Sequence, residues 1–304
     1  MSTTTISSPG RPTGGSLTFA GVLRSEWIKF RSLRSTQLLL AFTLVAVVGV
    51  GAFSAWVRSM FVGTMMDLGP AAMEGPSGIP AEGAPKMTLE QAMDLANAQG
   101  FSIYGTPIAG IQLGILILGA LSVMLISSEF GTGMIRSTMT AVPKRLPAFF
   151  AKATVLAVVS YVVTLVAAFA TFLVSIPIMK AQGIELTLGM DGVVYSILMG
   201  GVYVAGVSLI ALSLGALLRS SAGAIIVLVA LFLMLDIVAP LLGLIPGDFW
   251  MYVGQYFPSV SGGRMLEIHD KEAFLSPLAG GLVFLGWIAL IMVPAAISIK
   301  TRDV

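Results

Sequence analysis

Five stretches of this chain, residues 37–57, 103–127, 153–179, 193–218 and 277–299, carry no charged side chain. Each has the roughly 20 residues a helix needs to cross the ~30 Å hydrocarbon core of a bilayer. A sixth apolar run, 222–245, contains Asp236 and follows the fourth after only Arg219, Ser220 and Ser221, which demands a tight helical hairpin. Lipid offers no hydrogen bonds, so backbone groups at that depth must bond within their own segment or in a closed barrel. The runs lack the period-two alternation of barrel strands. The expected fold is therefore an all-α integral membrane protein with six transmembrane helices. Composition agrees: 56% of residues are hydrophobic and 11% charged, where a soluble domain carries about 25% charge.

The first 15 residues are rich in Ser, Thr, Gly and Pro without an apolar core. They read as a disordered cytoplasmic tail rather than a cleaved signal peptide. Residues 16–304 read as one six-span domain, with an external loop at 58–102 and a cytoplasmic loop at 128–152. No repeat relates the two halves. Six spans put both termini on one side. Of the 17 Lys and Arg residues, 12 fall on that side, and Arg58, Lys86, Lys180, Arg264 and Lys271 fall on the other. Acidic residues are biased oppositely, leaving about +9 and −6 on the two sides with Asp236 between them. The positive-inside rule then predicts a multi-pass protein of the cell membrane with cytoplasmic termini.

Before the first span, Leu17, Phe19, Val22, Leu23, Trp27, Ile28, Phe30 and Leu33 interleave with Arg24, Lys29, Arg31 and Arg34. This predicts an N-terminal amphipathic interfacial helix, with Trp27 at headgroup depth and its basic residues near anionic membrane lipid. The loop from Ser128 to Arg145 is dense in glycine, hydroxyl and charged residues. Glu129, just past the hydrocarbon, can pair with Arg136 or cap a short surface helix; Gly131 and Gly133 permit a sharp turn, and Pro143 ends the segment. Asp236, the one ionisable group inside a span, costs roughly 2.5–3.5 kcal/mol at a helix centre and so calls for a compensating role. It is a candidate for the translocation pathway, and Pro240 weakens the helix beside it. Gly110 with Gly114, and Gly201 with Ala205, suit close helix contacts. Thr88 and Gln91 have capping-box spacing for an external helix, and the methionines from Met60 to Met93 suit adaptable apolar packing.

Glu129, Gly133, Arg136, Pro143 and Arg145, between the second and third of six spans, resemble the cytoplasmic signature of the permeases of type-2 ABC exporters. The basic pre-span helix resembles that family's connecting helix. Tyr256-Phe-Pro-Ser-Val-Ser-Gly-Gly-Arg resembles the Pro-Ser and Gly segment that these permeases carry between spans five and six. The resemblance implies a dimer with a second permease subunit, homo- or heterodimeric, powered by a separate ABC ATP-binding subunit. That partner would contact a coupling helix in the 128–152 loop, where Glu129 and Arg136 would be contact or hinge residues. ATP would be bound by the partner. No Gly-Lys dipeptide occurs, so a phosphate-cradling Gly-x4-Gly-Lys loop is absent here. No cofactor, metal or nucleic acid is expected.

The cargo would be amphipathic: a small molecule, lipid, peptide or polysaccharide. The rival readings are a membrane-embedded enzyme and a secondary transporter or channel using Asp236. An enzyme would need paired acids, a metal set or a nucleophile with its base at one depth. The chain has no cysteine, and its single histidine, His269, stands beside Asp270 and Glu272 in a short charged loop.

Overall fold

The computed structural model describes residues 18–68, 86–98, 105–134, 145–190, 192–267 and 274–301. Among them every regular element is helical. Helix α1, Phe19–Ser32, is capped by Thr18, whose hydroxyl accepts from the Gly21 N–H. Leu33 separates it from α2, Arg34–Leu68. Then come α3 (Leu89–Ala98), α4 (Ile111–Gly131), α5 (Leu146–Lys180) and α6 (Val193–Leu218). The fifth crossing is composite: α7 (Ser221–Val229), a π-helical turn over Ala230–Met234, and α8 (Leu235–Leu242). Short helices α9 (Asp248–Gln255) and α10 (Pro258–Arg264) lead to α11, Pro277–Thr301. Six helical segments are long and apolar enough to cross a membrane.

The fourth span, α6, is the hub. Its apolar window is 72% buried, against 11% for the fifth span, and it packs on α4, α5, α7 and α11. The close packing of these backbones needs small residues. At Gly110 a Cβ would overlap the carbonyl oxygen of Val47 in α2, and at Gly201 it would press on the Tyr161 ring of α5. Gly110 and Gly201 thus serve contacts within one chain.

The Arg219-Ser220-Ser221 hairpin forms as its spacing requires. Arg219 takes the left-handed conformation (φ 51°) after α6, and the Ser220 hydroxyl accepts the Gly223 N–H to start α7. The capping box before α3 is complete, with the Gln91 N–H donating to the Thr88 hydroxyl and the Thr88 N–H to the Gln91 side chain. Met65, Met66, Met87 and Met93 pack in a separate apolar cluster with Ala55, Phe172 and Ile184.

The largest overruns of the expected boundaries are in α2 and α5. The helix α2 passes Arg58, whose Nε donates to the Ser54 hydroxyl one turn back, and α5 begins seven residues before the expected 153. Substituting Gly110 by Ala should lower the melting temperature in detergent, by the roughly 1–3 kcal/mol typical of overpacking. Gly49→Ala, with nothing within 4 Å of the new methyl group, should be neutral. Equal melting of the two variants would disprove the tight α2–α4 contact.

Candidate functional site: a buried four-charge junction

At the end of the bundle where α1, α4 and α5 meet, four ionised side chains come together. The Lys152 Nζ of α5 lies 2.7 Å from Glu26 Oε2 of α1 and 2.9 Å from Glu129 Oε1 of α4. The Lys29 Nζ lies 2.7 Å from Glu26 Oε1 and 3.6 Å from Glu129 Oε1. Glu26 and Glu129 are each 3% exposed and Lys152 is 9% exposed. Two carboxylates and two ammonium groups make a neutral set, which allows Glu26, Glu129 and Lys152 to stay charged while buried, with the half-buried Lys29 at the edge of the cluster.

Local sequence explains the arrangement. Val22, Glu26 and Phe30 follow one another at intervals of four, so Glu26 stands on the stripe of α1 that is buried. On α5, Lys152 lies among the buried residues Ala148, Phe149, Ala151, Val155 and Leu156. Glu129 ends the buried stripe of α4 that includes Ser122 and Ile126. A cavity of about 60 Å³ beside the cluster is lined by Leu33, Leu125, Ser128 and Met134 as well as the charged groups. It is large enough for ordered water to reach the remaining lone pairs. The α6–α7 hairpin adjoins the same end, since Ser127 and Ser221 share a hydroxyl hydrogen bond of 2.6 Å and the Arg219 guanidinium lies 5.1 Å from the Phe130 ring centroid.

Of the residues singled out from the sequence, Glu129 and Lys29 belong to this junction. Glu129 pairs with Lys152 and Lys29. The pairing considered for it with Arg136 lies outside the described residues, as do Arg136, Pro143 and the expected short surface helix. The described ends of that segment are Met134 and Arg145. Gly133 takes a left-handed turn (φ 71°) that glycine adopts without strain, and Arg145 occupies the N-cap position of α5 without a side-chain capping hydrogen bond. Trp27 is 46% exposed and stacks on Phe30 at 6.1 Å between ring centroids, while Arg24 and Arg31 are exposed.

Asp236 sits well away from the junction, exposed on α8 just beyond the π turn. The Phe232 carbonyl in that turn accepts from the Gln112 side chain of α4 at 2.7 Å. The His269 cluster lies outside the described residues, and among the described residues no group of three or more His, Cys, Asp or Glu could hold a metal. The Pro-Ser and Gly segment becomes α10, packed on α11. The Tyr203 hydroxyl donates to the Ser259 carbonyl, and Arg264 pairs with Glu267 and donates to the Leu275 carbonyl.

In the sequence alone, Glu26 and Lys152 stand only as charges on the side of the termini. Their signal was present: each is a charge on an otherwise apolar helical stripe.

The helical fold and its six apolar crossings define a multi-pass α-helical integral membrane protein. A scan of the sequence against protein-family models and a search of curated proteins both give no match.

Burial would push the Glu26 carboxyl up, but Lys152 first and Lys29 second outweigh that and hold it below the ordinary value of 4.5. A depressed carboxylate contributes stability above its unfolded pKa and loses it as pH falls through the folded one. The docking of α1 should therefore persist at pH 4.5 and fail only below it. Fluorescence of Trp27, with the other three tryptophans replaced by Phe, reports the transition. A midpoint above pH 4.5 would contradict the ion-paired geometry.

Proposed function

We propose that this chain is the permease subunit of an ATP-driven type-2 exporter. It works as a dimer with a second permease subunit and is powered by a separate ATP-binding partner. In this reading α1 lies in the cytoplasmic interface of the cell membrane, and the 128–152 segment receives the partner's push. The observation that carries the proposal is the four-charge junction. Lys152 and Glu129 stand at the two ends of that segment and pair with each other, and the pre-span helix joins them through Glu26 on Lys152 and Lys29 beside Glu129. A displacement applied to the segment would thus move α1 and the second and third spans together. The residues from Glu129 to Arg145 resemble the family's signature at this place in the chain. Of the contact and hinge roles which that resemblance implies, the 3% exposure of Glu129 favours the hinge.

The first test is genomic: a neighbouring reading frame should encode a soluble ATPase with a phosphate loop. With that ATPase copurified, Glu129→Gln should lower substrate-stimulated ATP hydrolysis by at least about tenfold, in proportion to the loss of a buried ion pair. Basal hydrolysis and membrane insertion should be unchanged. Full stimulation in the variant would sink the coupling assignment.

Asp236 takes the pathway role in this reading, because the outward face of the fifth span would be covered in a dimer. Asp236→Asn should then reduce transport of cationic substrates more than neutral ones. Equal reductions in a flux assay would make Asp236 a packing residue instead.

A further inference from the structure

The outer flank of α1 carries a second feature. Ala20, Leu23, Arg24 and Trp27 share one face of the helix and meet Thr154, Val155 and Val158 of α5 across a groove of about 330 Å³. The groove wall is apolar, and Arg24 is the only charged side chain on it. The Thr154 hydroxyl is turned back onto the Phe150 carbonyl, so the wall offers an acyl chain a continuous hydrocarbon surface. The helix α5 has 35 residues, about 52 Å at 1.5 Å per residue, and so projects some 10 Å beyond the ~30 Å hydrocarbon core at each end. Thr154 to Val158 begin about 12 Å from its first residue, at the boundary between acyl chains and headgroups. Trp27 stands where an interfacial aromatic is favoured, and the guanidinium of Arg24, exposed at the groove, has the forked donors that match a phosphate.

We propose that this groove is a binding site for one anionic phospholipid of the leaflet on the side of the termini, with an acyl chain between α1 and α5 and the phosphate on Arg24. The charge of the site selects the occupant. Arg24 is a lone cation at the mouth of an apolar cleft, and the carboxylate nearest in sequence, Glu26, faces the opposite, buried side of α1, where Lys152 and Lys29 hold it. The lipid would brace α1 from outside against the same helix that the four-charge junction grips from inside. The site is independent of the transporter reading, since it uses only α1, α5 and the membrane position of α5.

Native mass spectrometry of the detergent-purified full chain, titrated with phosphatidylglycerol or phosphatidylcholine, tests it. One phosphatidylglycerol per chain should bind in preference to phosphatidylcholine. Arg24→Gln should weaken it about fivefold, the equivalent of the ~1 kcal/mol a basic residue contributes near an anionic headgroup. Val158→Trp should block the groove; Val158 is 55% exposed, so the larger ring leaves the core untouched. Arg31→Gln, which removes the same charge outside the groove, should bind as the wild type does. Equal affinity for the two lipids, or normal binding by either groove variant, would overturn the site. An equal loss in Arg31→Gln would reduce it to general charge attraction and overturn it as well.

Discussion

Lys152 fixes the organisation of the terminal end of this bundle. An ammonium group at 9% exposure, on a helix otherwise built for hydrocarbon, is tolerable only with countercharge at hydrogen-bond distance. Two carboxylates on two other elements supply it, and their excess negative charge brings in Lys29. Three helices are thereby held in one register. Apolar contacts alone would let α1 slide or roll over α5, because lipid is as good a neighbour for leucine as protein is. The ionic set is directional and cannot be satisfied by lipid hydrocarbon, so it supplies a unique position that hydrophobic burial does not.

The spans were legible because their signal is one-dimensional: an uncharged run of sufficient length has one stable solution in lipid. Boundaries were harder to read, since a charged residue was taken to mark the edge of hydrocarbon. Arg58 closes the first uncharged run, yet α2 continues ten residues beyond it to Leu68, where the backbone still gains by completing its own hydrogen bonds. Lys152 ends the charged stretch before the third uncharged run, yet it lies within α5 and is buried. The four-charge junction was only half legible. Glu26 stands about a hundred residues before Glu129 in sequence and Lys152 a further 23 beyond it, and a single sequence does not show which charges meet in space.

The glycine pairs show the opposite balance. Gly110 and Gly201 were recognisable as sites of close approach, and the structure supplies the partners, Val47 and Tyr161. Spacing of small residues survives as information because a missing side chain matters wherever two helices cross. Gln112 shows the limit of that legibility. An amide near the start of a span can bond in many directions, and only the turn opposite it reveals that it serves the Phe232 carbonyl.

The π turn at Ala230–Met234 changes how the fifth span should be drawn. A π turn accommodates about one more residue than an α turn, which shifts the angular phase of everything after it by ~100°. A helical wheel drawn through 222–245 as one uninterrupted helix would place Asp236 about a quarter of a circle from where it is. The acid is exposed just beyond this dislocation in the winding, and the Gln112 amide on α4 bonds the Phe232 carbonyl within it. Which surface of the protein carries a negative charge at membrane depth therefore depends on the winding one turn earlier, at a carbonyl that a different helix engages.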